Sequence, residues 1–403
     1  MHIALLSIPG NFHCQKWAHA LQQAGARVSI YSLEAAQVPG LRSVHIRPAY
    51  SWRGRYRFPS YGHSARRLRA ALEQDRVELV QALHLTPFGW WGLQAGHRPL
   101  VASALGADVL EYVPGAPALG YNASRPGGWL QRHKRAYYRR IVQQVLARAD
   151  LLTADNQHLA RQLQQHFGVA AQRVMLLPWG VASAIRRPDA SLLPALYARL
   201  GLQPGHPLIL APRGANGFYQ ADVILHAFEQ ILQGPSGSYG HQLVLLSAGY
   251  AVGADIRRQA HRLMQRYPAF RFYEGQLSAA EMGALWSQTT AFISAPLYDG
   301  YSATVAEGRT VGAIPLVSDL PAYREELIPD ETGLFIAPFT PSRLAATLAE
   351  VLARTQDGPA AYARLRQRNQ AWAEEHADIL PGARRFLDSC QQLVAAHQRT
   401  ARH

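Results

Sequence analysis

One nine-residue stretch, residues 299–307, constrains the fold of this 403-residue chain more than any other. The stretch follows an apolar run at 291–296 that is typical of a buried parallel strand. Its first two residues, Asp-Gly, are typical of a turn, and Ser302 is predicted to cap a helix. A strand, a glycine turn and a helix N-terminus form a place for an anion, because unpaired backbone N–H groups face outward there.

Two carboxylates bracket this predicted anion site. Asp299 lies on the turn and Glu307 lies inside the helix. On their own, two acids eight positions apart indicate only a turn residue and a solvated helix residue. A pure phosphate pocket does not favour acids, so we expect their partners to be hydroxyl groups or a developing positive charge. A nucleotide sugar offers that combination.

The same residues resemble a known signature. The pattern of an acidic residue, seven intervening residues and then Glu307 resembles the donor site of retaining family 4-type glycosyltransferases. Three further segments fit the same pattern: 312–319, 321–325 and 331–335. The chain departs from it at Asp299, where that family mostly has Glu, and at 308–310, where small apolar residues are usual. The resemblance is continuous over roughly residues 205–350.

The resemblance implies an α/β protein with the GT-B fold, in which two Rossmann-like domains face each other across a cleft. We expect an acceptor-binding domain at 1–184 and a nucleotide-sugar domain at 185–378. A last helix within 379–403 should pack back on the first domain, and 186–207 is predicted to be a linker. The length of the chain independently favours two domains.

The donor phosphates are expected at Arg213, just after a predicted strand at 208–211. The resembled family places an Arg and a Lys here to hold the diphosphate. The Lys is missing, because the chain has only two lysines, Lys16 and Lys134. Tyr219 or Phe218 stands in the expected place, and a tyrosine hydroxyl there can donate one hydrogen bond to a phosphate but no charge. Arg213 should therefore carry most of the electrostatic load.

The resemblance also implies roles for the remaining donor-side residues. Asp299 would position hydroxyls of the sugar and favour an oxocarbenium-like transition state, and Glu307 would hold the ribose hydroxyls. Further donor contacts are expected at the start of the predicted helix, at the glycine turn after the strand at 241–250, and in the loop at 270–277, which borders the nucleobase in the resembled family: Gly300, Tyr301, Ser302, Ala303, Gly249, Gly275 and Gln276. We expect transfer with retention, without a metal ion or other cofactor, and with the leaving phosphate as the base.

On the acceptor side, His84 is a candidate for contact with the donor sugar. The usual histidine positions of the family correspond to Gln81 and Leu83, so His84 is displaced by one residue and is equally consistent with a histidine of the core or rim. Asp108 contacts the acceptor or caps a helix. Gly10 and Asn11, in the turn that follows the first predicted strand, are acceptor-side candidates, although a plain turn explains Gly10 as well.

The basic charge of the chain is unevenly distributed. The formal net charge is +14, of which residues 1–184 contribute +13 and the remainder +1. Basic residues alternate with aromatic ones at 52–58 and 129–140, which favours an anionic partner for the first domain. Anionic lipid headgroups, an acidic glycan and nucleic acid all fit. We expect no nucleic acid, because no recognisable reading motif accompanies the charge.

The cellular setting is predicted from what the sequence lacks. No apolar run reaches the length of a membrane span, and the first residues are too short for a signal peptide. Cys14 and Cys390 have no metal-ligand spacing and imply no disulfide framework. We expect a cytoplasmic protein, peripheral at the inner membrane face.

The resulting prediction is a retaining glycosyltransferase that moves a sugar from a UDP- or GDP-sugar to a glycan or lipid-linked acceptor, in cell-surface polysaccharide or glycolipid synthesis. The alternative is a degenerate, non-catalytic protein that binds nucleotide sugar as a scaffold. The missing Lys and the replaced histidines favour that alternative.

Overall fold

The computed structural model describes residues 1–47, 58–117, 129–356, 360 and 362–400. These residues divide into two compact units. The first unit comprises Met1–Ala116, residues 129–179 and the chain from Ile379 onward; the second comprises residues 180–378. The division thus falls at 179/180, five residues before the boundary drawn from the sequence.

The first unit is a parallel sheet flanked by helices. Its elements are β1 (His2–Leu6), α1 (Phe12–Gln23), β2 (Arg27–Ser32), β3 (Arg42–His45), α2 (Phe58–Gln74), β4 (Leu79–Leu83), α3 (Trp90–Ala95), β5 (Leu100–Ala104), α4 (Ala107–Leu110), α5 (Trp129–Arg148), β6 (Leu151–Ala154), α6 (Gln157–Phe167) and β7 (Val174–Leu176). Within the described residues the strand order is β3-β2-β1-β4-β5-β6-β7, with every pair parallel.

The second unit repeats this plan. Its elements are α7 (Ser183–Arg186), α8 (Leu193–Leu200), β8 (Leu208–Ala211), α9 (Ala221–Gln233), β9 (Gln242–Leu246), α10 (Ala254–Arg266), β10 (Phe270–Tyr273), α11 (Ala279–Trp286), β11 (Thr289–Ser294), α12 (Ala303–Thr310), β12 (Ile314–Ser318), α13 (Pro321–Glu326), β13 (Leu334–Ile336), α14 (Pro341–Gln356) and α15 (Ala363–His376). A final helix, α16 (Ile379–Thr400), belongs to the first unit. The described strands of the second unit have the order β10-β9-β8-β11-β12-β13, again all parallel.

Continuous apolar sequence explains the central strands. Every residue of β1, β4, β5, β8, β9 and β12 is buried, as expected for strands covered by helices on both faces. In the first unit, the indole of Trp17 on α1 packs edge-on against the ring of Phe386 on α16, with centroids 5.3 Å apart. This contact ties the last helix to the first. The predicted Rossmann-like architecture of both units is confirmed.

The predicted linker at 186–207 is wrong as a description of that segment. It contains the helix α8, which buries Leu196, Tyr197 and Leu200. The helix has a proline in its first turn and ends at Gly201 in the left-handed conformation, with φ 67°. Both are helix-end signals that are visible in the sequence. The segment is part of the second unit.

Each sheet reverses its strand order once, between β1 and β4 in the first unit and between β8 and β11 in the second. Ligands of open parallel sheets bind outside the carboxyl ends of the strands at such a reversal. In the parts of the chain that the structure describes, no helix has the length and apolar character needed to cross a bilayer.

Candidate active site

The strand reversal of the second unit brings Arg213 and Asp299 together. Arg213 follows the end of β8, and Asp299 follows the end of β11. The two strands are parallel neighbours, with Leu210 opposite Phe292. Residues 86 positions apart in sequence therefore meet at one edge of the sheet.

Arg213 and Asp299 form a bidentate ion pair. Nη1 of Arg213 donates to Oδ2 of Asp299, and Nη2 donates to Oδ1 at 3.3 Å. Nη1 also donates to the hydroxyl of Ser302 at 2.9 Å. The side chains are 16% and 11% exposed, so the pair is largely withdrawn from water yet open on one side. The sequence analysis predicts a separate ligand for each residue, whereas in the structure the two side chains bind each other.

Tyr323 on α13 completes this cluster. Its hydroxyl donates to Oδ2 of Asp299 at 2.9 Å, accepts from Nη1 of Arg213 at 3.3 Å, and lies 2.8 Å from the hydroxyl of Ser294. The ring is fully buried. Burial and the Asp299 carboxylate both raise the pKa of the Tyr323 hydroxyl far above its usual value, so the group stays protonated.

The Asp299 carboxylate determines the pKa of Arg213 in this cluster. Burial alone lowers the pKa of Arg213, but the adjacent Asp299, with Tyr323 and Tyr219, raises it well above its usual range. The guanidinium is therefore a permanent cation whose charge is already compensated inside the protein.

The helix predicted after Asp299 begins beside the ion pair. Ser302 is the N-cap of α12, and its hydroxyl accepts from the backbone N–H of Val305 at 3.3 Å. The helix starts at Ala303, directly after the predicted cap Ser302. Gly300 and Tyr301 form the approach to the cap. Ser302 thus links the first turn of α12 to the guanidinium of Arg213.

Glu307 lies one turn into α12, on its buried side. Its side chain accepts a hydrogen bond from Nε1 of Trp286 at 3.3 Å, and the residue is 8% exposed. The adjacent Gly308 has no room for a side chain, because a Cβ there would lie 2.2 Å from Cε1 of Phe292. The small residue at 308 therefore lets α12 lie close against β11.

Tyr219 contacts Arg213 through its ring face. The guanidinium carbon lies 5.3 Å from the ring centroid, within the range of a cation–π interaction. The ring also packs against Tyr250, with centroids 5.6 Å apart. Gly214 has φ 137°, and a Cβ there would come within 2.7 Å of the Tyr219 ring. Tyr219 therefore lies beside the predicted phosphate site, where its aromatic ring packs against Arg213.

Gly249, predicted as a donor contact, lies beside Gly275 and Gln276, which are predicted to border the nucleobase. The N–H of Gly249 donates to the carbonyl of Gly275 at 3.0 Å, and the N–H of Gly275 donates to the hydroxyl of Ser247 at 3.0 Å. Gly249 has φ 78°, and a Cβ there would lie 3.5 Å from Cβ of Gln276. Their contact with a base stays a prediction.

In the first unit, His84 follows the end of β4 and Asp108 lies in the first turn of α4. His84 directly follows β4 with φ 86° and ψ 139°, a conformation that is costly for a residue with a side chain. Asp108 accepts from the N–H groups of Leu85 at 2.7 Å and Leu105 at 3.0 Å. Burial raises the pKa of the Asp108 carboxyl, while His84 opposes that rise. Asp108 thus holds the backbone after His84, a role that the sequence did not indicate.

The other first-unit candidates have local structural roles. Asn11 is the N-cap of α1, and its side chain accepts from the N–H of His13 at 2.8 Å. A Cβ at Gly10 would meet no atom within 4 Å, so packing does not require glycine there. Gln81 is buried in β4, where it accepts from Trp17 and donates to Ser103. The acceptor roles of Gly10, Asn11 and Asp108 stay predictions.

Three site residues were missed by the sequence reasoning: Tyr323, Ser294 and Trp286. Tyr323 and Ser294 stand inside motif segments, but nothing in a linear pattern shows that their hydroxyls meet. Trp286 ends α11 and has no sequence signal that links it to Glu307. Among the described residues, no group of three His, Cys, Asp or Glu side chains is placed to hold a metal ion.

Comparisons with known proteins bear on both halves of the chain. Residues 10–184 match the family model described as Glycosyltransferase Family 4. The motifs that carried the resemblance lie in the other half. A D-inositol 3-phosphate glycosyltransferase from Xylanimonas cellulosilytica is 25% identical over 94% of both chains.

Solved structures share the fold over nearly the whole chain. A sucrose-phosphate synthase from Thermosynechococcus elongatus superposes with a TM-score of 0.76 at 19% identity, over 98% of this chain and all of that one. The Anabaena protein HepE, solved in complex with UDP-glucose, has a TM-score of 0.72 at 14% identity with 98% and 100% coverage. The resemblance to family 4-type glycosyltransferases that the motifs indicated is confirmed, and the chain has the GT-B fold.

Proposed function

We propose that the protein transfers a sugar from a UDP- or GDP-sugar to a glycan or lipid-linked acceptor, with retention of anomeric configuration and without a required metal ion. The observation that carries this proposal is the convergence of Arg213, Asp299 and the N-terminus of α12 at the strand reversal of the second unit. A cation and a helix N-terminus suit the departing diphosphate.

The roles of the two acids follow from their positions. Asp299 follows the end of β11, where its charge would favour positive character on the transferred sugar. Glu307 lies deeper on α12 and would accept the ribose hydroxyls. The leaving phosphate would take the proton of the acceptor hydroxyl, because the described site shows no separate base beside the ion pair. HepE, with UDP-glucose bound, supports a nucleotide sugar as the donor class.

A thermal-shift screen with UDP-, GDP- and ADP-sugars tests the donor assignment, since a ligand that binds only the folded protein raises its apparent stability. Binding of a UDP- or GDP-sugar, lost in Arg213→Ala, is the expected result. Stabilisation that persists in Arg213→Ala would place the phosphates elsewhere.

A non-catalytic scaffold is the second candidate, and one observation favours it. The expected Lys is absent, and the charge of Arg213 is already compensated by Asp299. A donor-hydrolysis assay separates the two functions, because many transferases slowly transfer to water and a scaffold does not. Donor binding without release of nucleoside diphosphate would favour the scaffold.

The first unit is proposed to dock on anionic lipid surfaces, which would bring a lipid-linked acceptor to the enzyme. Basic side chains are exposed on α2 and α5, and Tyr137 on α5 is 54% exposed. They include Arg66, Arg67, Arg69, Lys134 and Arg140. Residues 52–57 lie outside the described residues. Each basic residue near an anionic bilayer contributes about 1 kcal/mol, and salt weakens that attraction.

Liposome sedimentation tests this docking. We expect binding to anionic vesicles at low salt and weaker binding at high salt, with little binding to neutral vesicles. Equal partitioning to both lipids, or none to either, would leave the basic first unit to an acidic soluble acceptor or to no partner.

A further inference from the structure

We propose that Asp299 competes with the donor phosphates for Arg213, and that Tyr323 is the positioning residue that holds the Asp299 carboxylate on the guanidinium. This inference rests on the proposed function, because it requires a diphosphate to bind at Arg213. It adds a role for Asp299 before and after the sugar transfer, and it assigns one to Tyr323.

The competition follows from how the donors of Arg213 are used. Nη1 carries two hydrogens, and three acceptors surround it: Asp299, Ser302 and the hydroxyl of Tyr323. A phosphate oxygen that approaches Nη1 must therefore replace one of them. The carboxylate is the one with negative charge, so it is the acceptor that a diphosphate repels.

No second cation of the expected kind relieves this competition. The resembled signature places a Lys near Arg213, but residues 185–378 contain none, and Tyr219 contacts the guanidinium with its ring. A ring face adds no charge for the phosphates. The affinity of the site for a diphosphate should therefore depend strongly on whether Arg213 is free of Asp299.

Tyr323 determines how firmly the carboxylate is held. A phenol has one hydrogen and two acceptor positions. The hydrogen is used on Asp299, and Arg213 and Ser294 account for the two acceptor positions. Because the hydroxyl is saturated and the ring is fully buried, Tyr323 has no freedom to turn away. It fixes Oδ2 of Asp299 against Nη1.

This arrangement would help the product to leave. In the ligand-free protein the carboxylate compensates a cation that would otherwise be unpaired. After transfer, the carboxylate can retake Arg213 as the nucleoside diphosphate departs. Removing the charge at 299 should then strengthen product binding, whereas loss of an ordinary binding residue would weaken it.

Isothermal titration calorimetry on the full chain tests this, with UDP, GDP, ADP and inorganic pyrophosphate as probes. For any probe that the wild type binds, we expect Asp299→Asn to bind it about tenfold more tightly, the scale of one charged hydrogen bond regained. Tyr323→Phe should bind about two- to threefold more tightly, since the carboxylate remains but is held less firmly. Arg213→Ala should bind more weakly than the wild type.

Asp319→Asn is the matched control. Asp319 follows the end of β12 and also forms a bidentate ion pair, with Arg324. Nε of Arg324 donates to Oδ1 of Asp319 at 2.5 Å, and Nη2 donates to Oδ2 at 2.7 Å. That pair is exposed, so its removal should leave the affinity for every probe unchanged. A change equal to that of Asp299→Asn would show a general charge effect and refute the competition.

The outcomes separate the two claims. Unchanged or weaker binding by Asp299→Asn, while the wild type binds, overturns the competition and leaves the proposed function intact. If Asp299→Asn does not fold, the affinity of Tyr323→Phe for the probes tests the proposal, since this variant keeps both charges. An unchanged affinity in Tyr323→Phe refutes the role of Tyr323. Absence of binding of every probe to every protein overturns the proposed function as well.

Discussion

Removing either partner of the Arg213–Asp299 pair should destabilise the second unit. Removing both partners should cost less than the sum of the two single losses. Breaking a fully buried ion pair costs about 3–5 kcal/mol, and a hydrogen bond to a charged group contributes about 1.5–3 kcal/mol. The two side chains are 16% and 11% exposed, so water partly compensates the charge that remains. We therefore expect Arg213→Ala to cost about 2–3 kcal/mol.

The double variant gives the sharper result. In Arg213→Ala combined with Asp299→Asn, neither a lone cation nor a lone carboxylate remains beside Tyr323. The loss should be smaller than the sum of the two single losses by about 1–2 kcal/mol. The same cycle on Asp319 and Arg324, whose side chains are 30% and 53% exposed, should show a coupling of about 0–1 kcal/mol.

Amide hydrogen exchange followed by mass spectrometry is the suitable assay. A chain of two units need not unfold in one step, so a single global free energy is not well defined. Peptides that cover β11 and α13 report local opening free energies beside the ion pair. A coupling below about 0.5 kcal/mol, equal to that of the exposed control pair, would refute the claim that Arg213 and Asp299 act as one unit.

Three further variants or measurements test other contacts. Glu307→Gln should weaken donor binding by about 1–3 kcal/mol in calorimetry, because a charge-assisted hydrogen bond is lost; an unaltered affinity would remove Glu307 from the donor site. Gly308→Ala should lower the local opening free energy of peptides that cover β11 and α12 by about 1–3 kcal/mol in amide hydrogen exchange, because the new Cβ would lie 2.2 Å from the ring of Phe292. Adding Phe292→Leu should recover part of that loss. Burial raises the pKa of the Cys14 thiol to about 12, so its thiolate fraction at pH 8 is very small and Ellman's reagent should label it only after unfolding; rapid labelling of Cys14 in the native protein would contradict this.

The fold was predictable because its signals are local and repeated. Apolar runs that end in glycine turns predict buried parallel strands, and the helix after Asp299 carries its cap, Ser302, in the sequence. The linker prediction at 186–207 is wrong because the helix in this segment is short and lies between two polar stretches. Its proline and terminal glycine are helix-end signals, but the three apolar residues that it buries are too few to define a helical face in the sequence.

The site was predictable only in part, because its chemistry depends on contacts between distant segments. The sequence identified Arg213 and Asp299 and gave each a ligand of its own. It did not show that strand order places them against each other, nor that Tyr323 reaches both from α13. A hydrogen bond between residues 24 or 86 positions apart produces no periodic pattern of residue types in a single sequence.

The same limit applies to His84. Its strained backbone and its proximity to Asp108 depend on how the segment after β4 and the first turn of α4 fold in the first unit. A one-residue displacement from the family position was visible in the sequence, but its structural consequence was not. The buried carboxylate that holds the following peptide is the physical reason why His84 keeps this conformation.

The most direct test of the proposed function follows the anomeric proton of the released sugar by nuclear magnetic resonance. The wild-type protein would be incubated with the UDP- or GDP-sugar that stabilises it, and slow transfer to water would be monitored from the first turnover. A retaining transferase releases a sugar with the same anomeric configuration as the donor, and Arg213→Ala should slow that release about 10²-fold. Initial release of the opposite anomer, or donor binding with no release at all, would contradict the proposed function.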